Sequence, residues 1–366
     1  TTNRSIPSKN NPYAKIYDGN PIVLSETTIL MAVAYSGKKY RSSIATFSAF
    51  VIPYADENEL TVDSDGILLS YSGTALNITI PEKVNGITVT KVGESAFKNT
   101  DITEIVFSRS VAEIGNSAFE NCKKLRTVSA FNATKVGKNA LYGCTNIRNI
   151  YFGNLTEIGE YAFYNAGRDQ FILEGRSFSL NLKNLKNIPE GAFMGSSISS
   201  AVLDSIDKIG KNAFSECNAL VSVHANKAGN LGDGAFRGCA SLVYVGISGL
   251  TYIPPSTFST CTNLYYIYLP DVTLVNSNAF ENCIAIKSIT LKSAQTVYSN
   301  AFSGCSSLRT INLPEMTSFE NIFNPSLTII PAFPASLEVF NAPKLETTVS
   351  NMFFHSKNIK NIHLDS

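Results

Sequence analysis

Cysteine recurs along this chain at positions 122, 144, 217, 239, 261, 283 and 305, separated by 22, 73, 22, 22, 22 and 22 residues. A constant spacing is the mark of a repeat array, in which no unit buries its apolar face alone and stacked neighbours share one core. Phenylalanine keeps the same beat at 97, 119, 163, 193, 214, 236, 258, 280, 302 and 323, with Leu141 in the slot between Phe119 and Phe163. One full unit runs Phe258-Ser-Thr-Cys261-Thr-Asn-Leu264-Tyr-Tyr-Ile267-Tyr-Leu269-Pro270.

The spacing assigns each position a place. Leu264-x-x-Ile267-x-Leu269 has the form of a leucine-rich repeat strand, and the pattern opens at Ile102/Ile105/Phe107 and closes at Ile359/Ile362/Leu364. Residues two apart on a strand share a face, so Ile267 and Leu269 point inward while Tyr266 and Tyr268 point outward. In the returning segment Ala118, Phe119 and Cys122 lie three and four apart, which predicts a single helical turn aiming all three into the core. Two intervals are longer, 30 residues each from Phe163 to Phe193 and from Phe323 to Phe353. Counting back from the next Phe recovers strand residues at Leu180/Leu182 and Phe340/Ala342. The extra residues near 167–176 and 324–334 therefore read as loops on an intact scaffold, and such insertions sometimes form binding sites.

Several functional classes are excluded. Thirty basic against twenty-nine acidic residues give a net charge of +1, without the basic stripe of a nucleic-acid binder. No apolar run reaches the length of a membrane span. The chain begins at Thr1 without a signal-peptide pattern, as expected of a processed or trimmed product. The seven cysteines share one repeat position and include no C-x-x-C, which predicts a ladder of buried free thiols instead of metal ligands or disulfides. His224, His355 and His363 lack companions at ligand spacing. No nucleophile motif or phosphate loop is present, since Ile114-Gly115 and Ile209-Gly210 are repeat turns. No catalytic residue, metal or cofactor is expected.

The candidate ligand-binding residues are Tyr244, Tyr266, Tyr268 and His224, all in outward strand positions. Tyr244 and Tyr266 should stand side by side, about 5 Å apart. Tyr268 should have Gly246 as its neighbour, leaving an open slot beside the ring, with Ser222, Ser288, Thr290, Thr310 and Asn312 around the patch. Tyrosine offers large contact area with a polar tip, suited to a glycan or a protein loop. The competing reading is that cross-strand tyrosines only stabilise a solvated sheet, and that His224 is an ordinary polar surface residue. Tyr151, five strands away, belongs to a separate spot. Arg126, Arg148, Lys287 and Arg309 read as solubilising. Asn-x-Ser/Thr triplets begin at Asn3, Asn77, Asn132 and Asn154.

The recurring Ile-Gly-x-x-Ala-Phe-x-x-Cys-x-x-Leu-x-x-Ile-x-Leu-Pro pattern resembles the BspA-like, or Treponema pallidum type, leucine-rich repeats, over about a dozen units of period 22. Tyr71-Ser-Gly73, Ile78-Thr-Ile80-Pro81 and Asn85-Gly86-Ile87 resemble the opening of such arrays. The resemblance implies an α/β repeat: a right-handed solenoid with a parallel sheet on its concave face. It further implies a non-enzymatic, monomeric bacterial protein, surface-located or secreted, that adheres to a host extracellular-matrix protein or a surface glycan. The solenoid is expected over residues 55–366. Residues 1–54 lack the beat and carry β-type runs instead. Thr1-Thr2-Asn3-Arg4-Ser5-Ile6-Pro7 and the stretch Leu24 to Tyr35 resemble the later part of the small Ig-like domain found at the end of chitobiase-type enzymes. That implies a partial Ig-like domain or a cap, and an alternative role for the chain as the carbohydrate-recognition or spacer module of a larger surface enzyme.

Overall fold

The computed structural model describes residues 28–32, 35–36, 40–41, 45–49, 52–227, 229–320, 333–346, 353 and 355–364. The chain divides into two units, Thr1–Tyr54 and Ala55–Ser366. In the first, Thr28–Ala32 pairs antiparallel with Ala45–Ala49, and Tyr35–Ser36 with Tyr40–Arg41. The runs at Thr1–Pro7 and Ile22–Leu24 lie outside the described residues.

The second unit is a β-solenoid of about a dozen coils. It opens with the antiparallel pair Leu60–Val62 and Ile67–Tyr71 and a tight hairpin at Lys83–Val84 and Ile87–Thr88. Asn85 and Gly86 both take positive φ (48° and 82°), the backbone that a two-residue hairpin loop requires and that Asn-Gly accepts. From there the coils place one strand on a front ladder and a short one on a second ladder, and the strands that pair between coils run parallel. The front ladder falls into three four-stranded sheets, which begin at Asn77–Ile80, Ser200–Val202 and Ser288–Thr290. Inward residues follow the expected alternation: Leu264 and Leu269 are buried, and Ile267 packs against the core. Over the first coils of the second ladder the outward positions alternate in charge, and Lys91 pairs with Glu113 at 2.5 Å and Lys135 with Glu157 at 3.3 Å. Exposed pairs of this kind contribute little each.

The core is a set of columns. Phe193, Phe214, Phe236, Phe258, Phe280 and Phe302 stack nearly parallel, with centroids 5.1–5.7 Å apart. The stack crosses the long interval undisturbed, because Phe163 and Phe193 stand 5.1 Å apart. All seven thiols are buried and free. Each also donates to a carbonyl one coil back, as Cys122 Sγ does to Phe97 O at 2.9 Å and Cys239 Sγ to Phe214 O at 3.0 Å.

The returning segment buries Ala118, Phe119 and Cys122 as expected, but it is not a helical turn. Its N–H groups alternate in direction. Ser117, Phe119 and Asn121 donate forward to the carbonyls of Lys138, Ala140 and Tyr142 in the next coil, at 2.7–2.8 Å. Glu120 and Cys122 donate back three residues, at 3.0 Å each. Two left-handed residues per coil make this possible, here Ser117 (φ 50°) and Asn121 (φ 59°). That conformation is costly for most side chains and cheapest for Gly and Asn. This explains why Asn99, Asn121, Gly143, Asn165 and Gly195 occupy the second slot in successive coils, all at positive φ.

The insertion near 167–176 is not a loop. It forms the single α-helix among the described residues, Arg168–Glu174, bracketed by left-handed Gly167 and Gly175. It is tied down by Arg148, whose Nε donates to Gln170 Oε1 (2.6 Å) and whose Nη2 donates to Glu174 Oε1 (3.0 Å). Arg148 is thus a structural tie, not a solubilising charge. The strand expected at Leu180/Leu182 is absent. Leu182 is buried, but the parallel bridge forms at Phe178 with Ile198 instead. The recovery at Phe340/Ala342 holds, with Phe340 on the strand Val339–Asn341 and both side chains buried. Most of the insertion near 324–334, and Phe323, lie outside the described residues.

Burial pushes the Cys217 and Cys305 thiols from their ordinary value of 9.0 up to about 12. A group whose pKa is raised by folding stabilises the fold fully below its unfolded pKa. That contribution is lost as pH climbs between about 9 and about 12. Because all seven thiols are buried, native protein at pH 8 is expected to leave them unreacted with a thiol reagent such as DTNB, and to release all seven in guanidinium. Unfolding midpoints should fall above pH 9. Rapid labelling of a native thiol at pH 8 would contradict the sealed ladder.

Candidate functional site

The sheet that runs from Ser200–Val202 to Tyr266–Tyr268 carries the four candidate residues. Its register sets them in two rows. Ser200, Ser222, Tyr244 and Tyr266 are consecutive partners, and so are Val202, His224, Gly246 and Tyr268. Tyr244, Tyr266 and Tyr268 are exposed, the last two by 59% and 58%. His224 lies in the same face, with Nε2 3.8 Å from Asp204 Oδ1.

Two expectations change. The slot at Gly246 is not open. The Tyr244 ring folds back over it, so that a Cβ there would come within 2.8 Å of Tyr244 Cζ. Gly246 is buried for this reason. The polar surround is also divided. Ser222 belongs to this sheet, but Ser288 and Thr290, with Thr310 and Asn312, belong to the next one, because the ladder is interrupted after Tyr266–Tyr268.

Sequence reasoning missed a third row. Val221, Val243 and Tyr265 directly precede the strands and are exposed. Alternation alone would turn them inward, but each sits in the turn before its strand begins. Tyr265 meets Tyr266 edge-on at 4.6 Å, and the Lys287 ammonium lies 5.7 Å from the Tyr265 ring centre. Lys287 is therefore part of the patch. The result is an exposed aromatic cluster of Tyr244, Tyr265, Tyr266 and Tyr268 bordered by Val221 and Val243, with a histidine on one side and a cation on the other. Clustered exposed apolar and aromatic side chains of this kind often mark an interaction site.

A separate aromatic pair occurs earlier, with Phe131 and Tyr151 stacked at 5.8 Å and both exposed. The helix Arg168–Glu174 exposes Ile172 and Leu173. Among the described residues no group of three or more His, Cys, Asp or Glu could hold a metal ion, and no helix is long and apolar enough to cross a membrane.

The family model for the BspA type leucine rich repeat region matches in six copies, over residues 70–183, 186–309 and 271–366. The chain belongs to this family. Among solved structures, this BspA-type chain is similar to a leucine rich cell surface protein from Faecalibacterium prausnitzii. That match has 21% identity, covers 81% of this chain and 96% of that one, and has a TM-score of 0.35. It is also similar to a leucine-rich repeat protein from Bacteroides ovatus, at 19% identity, 88% and 94% coverage and a TM-score of 0.35. The leucine rich repeat protein of T. pallidum matches at 21% identity, 70% and 90% coverage and a TM-score of 0.34. No curated protein matches the sequence.

Proposed function

We propose that this BspA-type array is a non-enzymatic binding module of a bacterial surface or secreted protein, which takes a host extracellular-matrix protein on its tyrosine-bearing front face. The observation that carries the reading is the register that fixes Tyr244 beside Tyr266, with Tyr265 and Tyr268 completing an exposed cluster. A sheet that needed tyrosine only for cross-strand support would not also expose Val221 and Val243 beside it. A face this open and this apolar suits a protein surface better than a single sugar. Membership of a family with surface-located members supports the location. We read the Thr1–Tyr54 unit as part of an Ig-like domain, a reading supported by the antiparallel pairing of its described strands. The array would work as a monomer.

The test is a Tyr266→Ala/Tyr268→Ala variant, assayed against arrayed matrix proteins. Both rings are mostly exposed, so the unfolding midpoint should move by no more than about 0.5 kcal/mol. Loss of two aromatic anchors should weaken binding by about 2 kcal/mol or more, roughly thirtyfold. Binding unchanged in the folded variant would remove the front face from the reading.

A further inference from the structure

Where the chain leaves the front ladder and turns toward the second one, four successive coils build a groove of about 580 Å³. That volume lies within the ~300–1,000 Å³ of ordinary small-molecule sites. Strand register creates it. Glu104, Thr127 and Asn149 are partners, so Arg109, Asn132 and Asn154, each five residues further on, occupy one corner position. Asn181 follows in the next coil, because its Nδ2 donates to Asn154 Oδ1 at 2.8 Å. Asn132 Nδ2 donates to the Arg109 carbonyl at 2.7 Å, and Asn181 Oδ1 accepts from the Lys183 N–H at 3.3 Å.

These bonds hold the amides in place and leave part of their capacity unused. Among the described residues, the Arg109 guanidinium, the Asn154 Nδ2 and the Asn132 Oδ1 have no partner. The groove thus offers the donors of Arg109 and Asn154 beside two side-chain acceptors, Asn132 Oδ1 and the Thr134 hydroxyl, which can also donate. Arg109 is the one charged residue among those lining it. Phe131 forms a wall and is 55% exposed, with Tyr151 stacked behind it. Gly153 lies between, where a Cβ would come within 2.8 Å of the Phe131 carbonyl and 3.1 Å of the Ala133 carbonyl. Glycine therefore lets the coils close here and keeps the floor bare.

We propose that this groove binds an acidic sugar, a hexuronate or a sialate, with its carboxylate on Arg109, its C–H face on Phe131 and its hydroxyls on the Asn132 and Asn154 amides. The guanidinium fork matches a carboxylate. The exposed ring beside fixed amides matches a pyranose, which presents an apolar face and a rim of hydroxyls. A phosphorylated ligand would call for more than one cation. The site lies on different coils from the tyrosine face and does not depend on the protein partner proposed for it. Asn132 and Asn154, which open Asn-x-Thr triplets in the sequence, here serve as recognition amides.

The full chain would be titrated by calorimetry and saturation-transfer NMR with methyl glucuronide, N-acetylneuraminic acid, methyl glucoside and acetate. At least one acidic sugar should bind saturably, about tenfold or more tighter than either the neutral glucoside or acetate. Arg109→Gln should abolish that preference while leaving the weaker binding of glucoside as it was. Phe131→Ala should weaken acidic and neutral sugars alike by about fivefold or more, and Phe131→Leu, which keeps an apolar wall, should do so less. Lys292→Gln, an exposed charge change on a distant coil, should alter nothing. Urea midpoints of all four variants confirm that each is folded. Glucuronide and sialate binding no tighter than glucoside, binding no tighter than acetate, or binding indifferent to Arg109→Gln would each overturn the proposal, as would the absence of saturable binding to any of the sugars.

Discussion

Phe236→Ala is expected to destabilise the solenoid by about 3–5 kcal/mol, the usual cost of removing a fully buried ring. Phe236 lies between Phe214 and Phe258, with centroids 5.4 and 5.7 Å away and planes within 7°. Its side chain has no solvent exposure. The neighbouring coils are fixed in spacing by backbone ladders on three sides, so the cavity has little room to collapse. Phe236→Leu should cost distinctly less, because Leu141 fills the equivalent slot with no exposure of its own. Urea unfolding followed by circular dichroism measures both. A Phe236→Ala midpoint within about 1 kcal/mol of the parent would mean that the ladders alone hold the array, and the phenylalanine column would lose its place as the core.

Gly115→Ala should cost about 1–3 kcal/mol, for a different reason. Gly115 does not lie in the left-handed region, so a left-handed turn is not why glycine stands there. A Cβ would come within 2.6 Å of the Val92 carbonyl in the coil before, and 3.0 Å of the Gly93 backbone. The same Gly115 donates its N–H to Val92 at 2.8 Å. Backbone cannot yield as a side chain tip does, so the coils must part, and overpacking of this size carries the cost given above. Gly93, Gly210 and Gly232 repeat the contact in their own coils, each with a Cβ within 2.7 Å of preceding backbone. The control is Gly229→Ala, where a Cβ would meet nothing within 4 Å and where the change should stay within about 0.5 kcal/mol. Equal effects at the two sites would show that close approach between coils is not what keeps these glycines.

The period, the phenylalanine and cysteine columns of the core and the pairing of Tyr244 with Tyr266 are all legible in the sequence, because each follows from identical offsets repeated many times. The failures fall where offsets carry no unique geometry. Spacings of three and four between Ala118, Phe119 and Cys122 fit a helical turn and fit equally the left-handed turn that forms. The deciding signal was the Asn or Gly one place before five of the seven cysteines, with Glu216 and Thr260 at the other two. In the helix Arg168–Glu174 the beat is broken, so periodicity was silent, although Gly167 and Gly175 mark its ends. Gly246 was read as an empty slot because spacing says nothing of rotamers, and Tyr244 fills it. The corner groove escaped because Arg109, Asn132, Asn154 and Asn181 are 23, 22 and 27 residues apart. Arg109 breaks the run of asparagines, and two of the asparagines also open Asn-x-Thr triplets.

The alternating N–H directions of the returning segment bear on how such an array carries load. The returning segments bond coil to coil, and where the ladders run unbroken the front strands, the second strands and often a thiol do the same, so that these bonds run along the stacking axis. None of them ties a coil to one two places away. A pull on one end of the solenoid therefore opposes the attachments of the last coil only. When that coil lets go, it frees 22 residues, on the order of 75 Å of chain at ~3.3–3.6 Å per residue, and hands the strain to an almost identical successor. Under tension the array would lengthen in equal increments at a nearly level force, the behaviour of a damper and not of a rigid strut.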